Sequence, residues 1–326
     1  MQDWLERVWF GRARGGAVLV PLSWLFGLVV GIRRLAFRRG WLRSGHPGRP
    51  VVVVGNLTVG GSGKTPLTVW LARALAARGL RVGVASRGYG GSARGPVAVT
   101  ADSDPAEVGD EPVLIARRSG ARVMVGRDRL AAATALAPQV DVILADDGLQ
   151  HYRLQRDLEI LVIDGTRRHG NGRLLPAGPL REPESRGRGV EFVVVNGAGA
   201  HGGEIAMAVE PGEVVALADG SRGPLAAWAG RTVHALAGIG HPERFFATLC
   251  AAGLRVIVHP RPDHAAIAPA DVTFGDGVPV LMTEKDAVKC RGIPVDGLAY
   301  LEVAARIGAD DAGRLVDRIV ALAARS

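Results

Sequence analysis

The 326-residue chain predicts a mostly parallel α/β sheet with helices on both faces, a second, smaller α/β domain, and an N-terminal membrane-associated helix. Three observations predict it. Short runs rich in valine, leucine and isoleucine alternate with helical stretches from residue 51 onward, the pattern of strands covered by crossover helices. The alternation breaks near residue 204 and restarts at 232. Residues 15–32 read GGAVLVPLSWLFGLVVGI, without a charge.

The uncharged run comes first. Arg7, Arg12 and Arg14 precede it; Arg33, Arg34, Arg38, Arg39 and Arg43 follow. Trp4, Trp9, Trp24 and Trp41 supply rings suited to a membrane–water interface. A spanning helix needs about 17–25 apolar residues, so the run is at the lower limit, and Pro21 and Gly27 disfavour a straight span. Lying in the interface, crossing the bilayer and packing on the protein all stay open for residues 1–45. A linker, RSGHPGRP, covers 43–50. Strands are expected at 51–55, 81–86, 122–125, 141–145, 159–163 and 191–195, and helices at 64–77, 112–118 and 128–136. They make a nucleotide-binding domain over 46–203, with a long Gly-, Pro- and Arg-rich loop at 166–189. Residues 205–209 and 214–218, split by EPGE, read as a hairpin within a linker at 204–228. The second domain, 229–326, has strands at 233–239, 254–259, 278–282 and 298–303, and helices from 241 and 308.

Composition narrows the function. Apolar residues make up 48% and aromatic ones 5%, which excludes a disordered chain. The formal charge of +8 is carried by arginine, because lysine occurs only at 64, 285 and 289. No zinc-ligand spacing, RNA-recognition signature or long basic run is present. The expected partner is therefore an anionic membrane surface and not nucleic acid. Two cysteines, Cys250 and Cys290, fit a reducing compartment.

Chemistry concentrates in a few motifs. VVVVGNLTVGGSGKTP is a buried strand, a glycine-rich turn and a helix start, so the sheet reads as P-loop NTPase-like. Amides of Gly60, Gly61, Ser62 and Gly63 can face a phosphate, Lys64 can reach the β- and γ-phosphates, and the Thr65 hydroxyl can meet Mg²⁺. Thr58 stands where the general signature has glycine. VDVILADDGLQH ends a strand on Asp146 and Asp147, placed to hold Mg²⁺; an Asp-Gly turn explains Asp147 alone. In VGDEPVLIARR, Asp110 and Glu111 suit a helix start, with Asp110 as cap, or catalysis. SRGYGG follows a strand and can grip phosphate or sugar through Arg87. His264, in HPRPDHAAI, is either a surface residue or a proton carrier oriented by Asp263 or a more distant carboxylate.

Eight motifs occur in one order: GNLTVGGSGKTP, SRGYG, VGDEP, ADDGLQH, LPAGPLREP, AGIGHPERFF, PDH and MTEKDAVKC. Together they resemble the tetraacyldisaccharide 4'-kinase family, the membrane-associated lipid A kinases, over about residues 55–290. The resemblance implies transfer of the ATP γ-phosphate to the 4'-hydroxyl of a tetraacylated glucosamine disaccharide 1-phosphate, the lipid A precursor, at the cytoplasmic face of the inner membrane. It implies Asp110 as base paired with His264, and Glu111, Asp146 and Asp147 ordering Mg²⁺. Arg87, Tyr89, His151, Arg181 and Glu182 would line the substrate site. Thr58 is then typical of the family's loop. The rival reading is a membrane-tethered NTPase switch; TEKD at 283–286 has the wrong order for a guanine reader.

Overall fold

The computed structural model describes residues 2–11, 16–293 and 295–325. Among them, thirteen strands join in one sheet. The first half holds β1 (Val51–Gly55), β2 (Val82–Ser86), β3 (Val97–Val99), β4 (Arg122–Val125), β5 (Val142–Asp146), β6 (Leu158–Asp164) and β7 (Phe192–Asn196). The second holds β8 (Ile205–Ala216), β9 (Arg222–Pro224), β10 (Thr232–Ala237), β11 (Arg255–Pro260), β12 (Val280–Thr283) and β13 (Leu298–Ile307). Helices α1 (Gln2–Trp9) and α2 (Val20–Arg38) precede the sheet. Then come α3 (Lys64–Ala77), α4 (Pro105–Val108), α5 (Asp110–Ser119), α6 (Arg129–Leu136), α7 (Pro242–Ala251), α8 (Glu284–Ala287) and α9 (Ala309–Ala323).

The four valines of β1 show why the first half is layered on both faces. Side chains alternate along a strand. Val52 and Val54 pack with Leu67 and Leu71 of α3; Val51 and Val53 pack with Ala132 and Leu136 of α6. All four are fully buried, each worth about 1.5–3 kcal/mol relative to exposure. β1 lies between β5 and β6, parallel to both, so the turn after it opens at the middle of the sheet. In the second half, Val233, Ala235 and Ala237 of β10 meet Phe245 and Leu249 of α7.

The halves meet at an antiparallel seam. β8 pairs with β13 from Met207↔Ile307 to Ala216↔Ala299. β7 attaches only to residues 205–207 of β8, and β12 only to residues 298–301 of β13. The two half-sheets thus hang from opposite ends of a two-stranded ribbon, and their strands run in opposite senses. Their C-terminal edges face each other across the middle of the ribbon. Ligands of open α/β sheets bind at such edges, and here two of them share one space.

The ribbon corrects one expectation. Residues 205–209 and 214–218 form no hairpin with each other; β8 runs straight through Pro211 and Gly212, and its hairpin partner is β9. Proline lacks an N–H and is tolerated at bulges and unpaired edges. Pro211 has both: the register with β13 shifts between Leu301 and Val303, and the other side of β8 is unpaired between the β7 and β9 contacts.

The apolar run is helical at Gly16–Leu19 and over α2, which extends through Arg33, Arg34 and Arg38. Arg12, Arg14 and Gly15 lie outside the described residues. Ser23 pins α2 to the long loop, its hydroxyl donating to the Leu174 carbonyl and accepting from the Ala177 amide, both at 2.9 Å. The opposite face leaves Leu22, Trp24, Leu25, Leu28, Val29 and Ile32 more than half exposed. By length and composition, residues 16–38 are long and apolar enough to cross a membrane.

Candidate active site

The cleft between the two C-terminal edges has a volume of about 1260 Å³. Its floor is the turn after β1. Gly60 and Gly63 adopt φ of +97° and +96°, and Gly63 caps α3. A Cβ on Gly63 would lie 2.6 Å from Asn196 Nδ2, so glycine is required twice over. Asn196, at the end of β7, donates to the Ser62 carbonyl (3.2 Å) and holds the turn in place. Gly60, Gly61, Ser62, Gly63, Lys64 and Thr65 all face the cleft. Thr58 does not line it; it bridges to Leu180 in the long loop.

Beside the turn, β5 ends on Asp146. The Thr68 hydroxyl donates to Asp146 Oδ1 at 3.2 Å. Asp147, at φ +48°, turns back to Lys64 Nζ (3.7 Å) and accepts from Arg181 (3.0 and 3.2 Å). Buried Arg129 braces the pair by donating to the Asp147 carbonyl at 2.8 Å. Burial, then the carboxylates of Glu111 and Asp147, push Asp146 up to about 7. Burial also acts upward on Asp147, but Lys64, Arg181 and Arg129 overcome it and hold that carboxyl below the usual range. Among the described residues, no group of three or more His, Cys, Asp or Glu could hold a metal by itself. Three neighbouring carboxylates beside a phosphate loop nevertheless suit Mg²⁺, which takes one or two carboxylates and completes its shell from phosphate and water.

Both halves supply the opposite wall. Tyr89, after β2, and His264, after β11, meet with ring centroids 4.7 Å apart. His264 takes φ +61°, a left-handed conformation rare for a non-glycine residue. Its Nδ1 is 3.0 Å from Asp110 Oδ1. Asp110 opens α5 instead of capping it: Gly109 is the cap, and Oδ1 accepts from the Glu111 amide. Burial opposes both charges. The bond to Asp110 still raises His264, and His264 with Lys285 lowers Asp110. His264 lines the cleft, whereas Asp110 is 5% exposed and sits behind it.

Lys285, in α8, extends into the same wall. Its Nζ is 2.9 Å from Asp263 Oδ1, 3.1 Å from Glu111 Oε1 and 3.2 Å from His264 Nε2. Lys289 lies 3.8 Å from Asp110 Oδ2 and 2.8 Å from Asp286. One acidic and basic string therefore connects Lys64 to His264 through Asp147, Asp146, Glu111 and Lys285.

The structure gathers Lys64, Thr65, Arg87, Tyr89, Glu111, Asp146, Asp147, His151, Arg181 and His264 around the cleft. Burial pushes His151 down to about 4, with Arg129 adding to it. Glu182 is 2% exposed and bonded to the Tyr152 hydroxyl, away from the cleft. Lys285, Lys289, Arg129 and Asn196 escaped the reading from sequence. A signal existed for the lysines: in a chain that uses arginine almost everywhere, Lys64 and Lys285 line the cleft and Lys289 stands directly behind it.

Comparison with known proteins fits this geometry. A sequence model of the family described as tetraacyldisaccharide-1-P 4'-kinase (LpxK) matches residues 16–321. The crystal structure of the "apo" form of LpxK from Aquifex aeolicus in complex with ATP is similar, with a TM-score of 0.80 and 29% identity. The match covers 94% of this chain and 99% of that one.

Proposed function

Because the chain belongs to the tetraacyldisaccharide 4'-kinase family, we propose that it transfers the γ-phosphoryl group of ATP to the 4'-hydroxyl of a tetraacylated disaccharide 1-phosphate at a membrane surface. The observation that carries the reading is the shared cleft, with Lys64 and the glycine turn on one side and the Asp110–His264 pair on the other. Phosphoryl transfer asks for in-line positioning and charge neutralisation more than covalent help.

Amides of Gly60–Gly63 and the positive end of α3 hold the phosphates, and Lys64 spans β and γ. Thr65, Asp146, Asp147 and Glu111 would hold Mg²⁺, which when bound neutralises phosphate charge. The Asp110–His264 pair takes the proton of the attacking hydroxyl. Asp110 fixes the ring through Nδ1, and Nε2 is the ring nitrogen left for the cleft. Arg87, Tyr89, His151 and Arg181 surround the sugar; Glu182 acts indirectly by anchoring Tyr152. Because Lys64 and Asp110 belong to one half and His264 to the other, approach of the halves assembles the pair and excludes water from the reacting phosphate.

The acceptor's chains account for α2. Exposing one CH₂ to water costs about 0.8 kcal/mol, so a four-chain lipid stays in its bilayer. An enzyme carrying an apolar helix face and arginines on the same helix works where the lipid is. Incubation with labelled ATP, Mg²⁺ and a tetraacyl disaccharide 1-phosphate in detergent, with the product identified by mass, tests the reading. ATP consumed without a phosphorylated disaccharide would refute it.

A further inference from the structure

We propose that Lys285 is a catalytic residue of the transfer, its ammonium stabilising the phosphoryl group in flight; this rests on the kinase reading above. The case is geometric. Lys285 lies on the string of side chains between the nucleotide wall and the proton-accepting pair, the path the phosphoryl group must cross. On one flank, its Nζ is 3.1 Å from Glu111, whose charge bears on Asp146 beside the phosphate loop. On the other it is 3.2 Å from His264 Nε2. Asp263, which also lines the cleft, holds it at 2.9 Å. Its side chain is 12% exposed and lines the cleft.

An ammonium has three donors, and here they meet two carboxylates and one imidazole nitrogen. The carboxylate contacts are charge-assisted and fix the amine. With the ring proton on Nδ1 facing Asp110, the third contact is to a neutral acceptor and is the one a substrate displaces. When an acceptor hydroxyl hydrogen-bonds to the Asp110–His264 pair, it competes with Lys285 for Nε2. The released N–H then points into the space between hydroxyl and nucleotide. In the reaction, the hydroxyl proton passes to the pair and its oxygen forms the new P–O bond. The bond from γ-phosphorus to the β,γ-bridging oxygen breaks, and its electron pair leaves with ADP. Throughout, Lys285 faces the oxygens of the group being moved. A compact ammonium on a flexible stem can make that short swing; a guanidinium fork held by two carboxylates cannot.

The test compares wild type, Lys285→Met and Lys285→Arg in the detergent assay with ATP, Mg²⁺ and the tetraacyl disaccharide 1-phosphate. Lys285→Met should lose about 10²–10³-fold in kcat, the scale for removing one preorganised electrostatic donor, with KM for ATP within about threefold. Lys285→Arg keeps the charge but not the swing and should recover little of the loss. Binding of ADP with aluminium fluoride, a mimic of the phosphoryl group in transit, should weaken strongly in Lys285→Met while ADP alone binds as in wild type. A purely structural lysine would lower both affinities and the melting temperature together, and that pattern overturns the proposal. So does a kcat within about threefold of wild type. A wild-type chain that makes no phosphorylated disaccharide overturns the parent reading instead.

Discussion

Of the three lysines among 40 basic residues, Lys64 and Lys285 line the cleft and Lys289 sits behind it against Asp110, and each of their charges answers a carboxylate across a turn or between half-sheets. Lys64→Met should weaken ATP binding by about 10–100-fold, since a hydrogen bond to a charged group contributes about 1.5–3 kcal/mol; titration calorimetry reads this directly. Asp110→Ala and His264→Ala should each lower kcat by about 10²–10⁴-fold, the range of general-base contributions, while ATP affinity stays within a few-fold. Unchanged turnover in both would remove the pair from the mechanism. At this scale the sequence was legible where chemistry is local. Gly63-Lys64-Thr65 and Asp146-Asp147 announce themselves by their neighbours. Lys285 does not, because its partner Glu111 lies 174 positions away and only the fold brings them together. Asp110 was read as a helix cap or a base; its place behind His264 depends on how two loops mate, which no local pattern encodes.

Among the elements, the phosphate turn and α2 make opposite demands on substitution. Gly63→Ala must hold φ near +96° and push Asn196 aside, a strain of about 1–3 kcal/mol. Urea denaturation should show that loss, and nucleotide binding should fall with it because the cap amides shift. On α2, Leu25→Asn with Leu28→Asn removes apolar surface that is 59% and 60% exposed. The melting temperature should barely move, since exposed substitutions usually stay within about 0.5 kcal/mol. Co-flotation with anionic vesicles should drop sharply; retained flotation would mean another surface meets the bilayer. Helices and buried strands were readable from periodicity and from runs such as VVVV. β8 was not, because Pro211-Gly212 ordinarily marks a turn and only the bulge opposite and the unpaired edge beside it let the strand continue.

For the molecule as a whole, the histidines answer protonation mainly in one direction, and Asp146, raised to about 7, answers in the other. His151, His169, His241 and His259 are held below 6.5, in each case first by burial. A depressed histidine contributes stability that is complete above 6.5 and lost as pH falls, because the unfolded chain then binds more protons. His264, raised by Asp110, works with the opposite sign but is one against four. In an Asp146→Asn background, which removes the opposing contribution of a carboxyl raised to about 7, the urea midpoint should decline from pH 7.5 to pH 5, and His151→Gln should flatten the decline; a midpoint that rises on acidification would contradict this. The layered halves were legible from alternating strands and helices. Their opposed orientation was not, since it is decided by one antiparallel pairing between strands about a hundred residues apart.

The scarcity of lysine has a practical corollary. The three ε-amino groups belong to side chains 13%, 12% and 10% exposed, so the outer surface offers amine-directed reagents almost no purchase beyond the chain terminus. A succinimidyl dye or a chip coupled through amines would therefore report a blocked cleft, not a labelled bystander. Fluorophores and tethers belong on the exposed thiol of Cys250. The same blankness makes pyridoxal phosphate or acetic anhydride a titrant for Lys64 and Lys285, the two amines that line the cleft, with nucleotide protection as its own control.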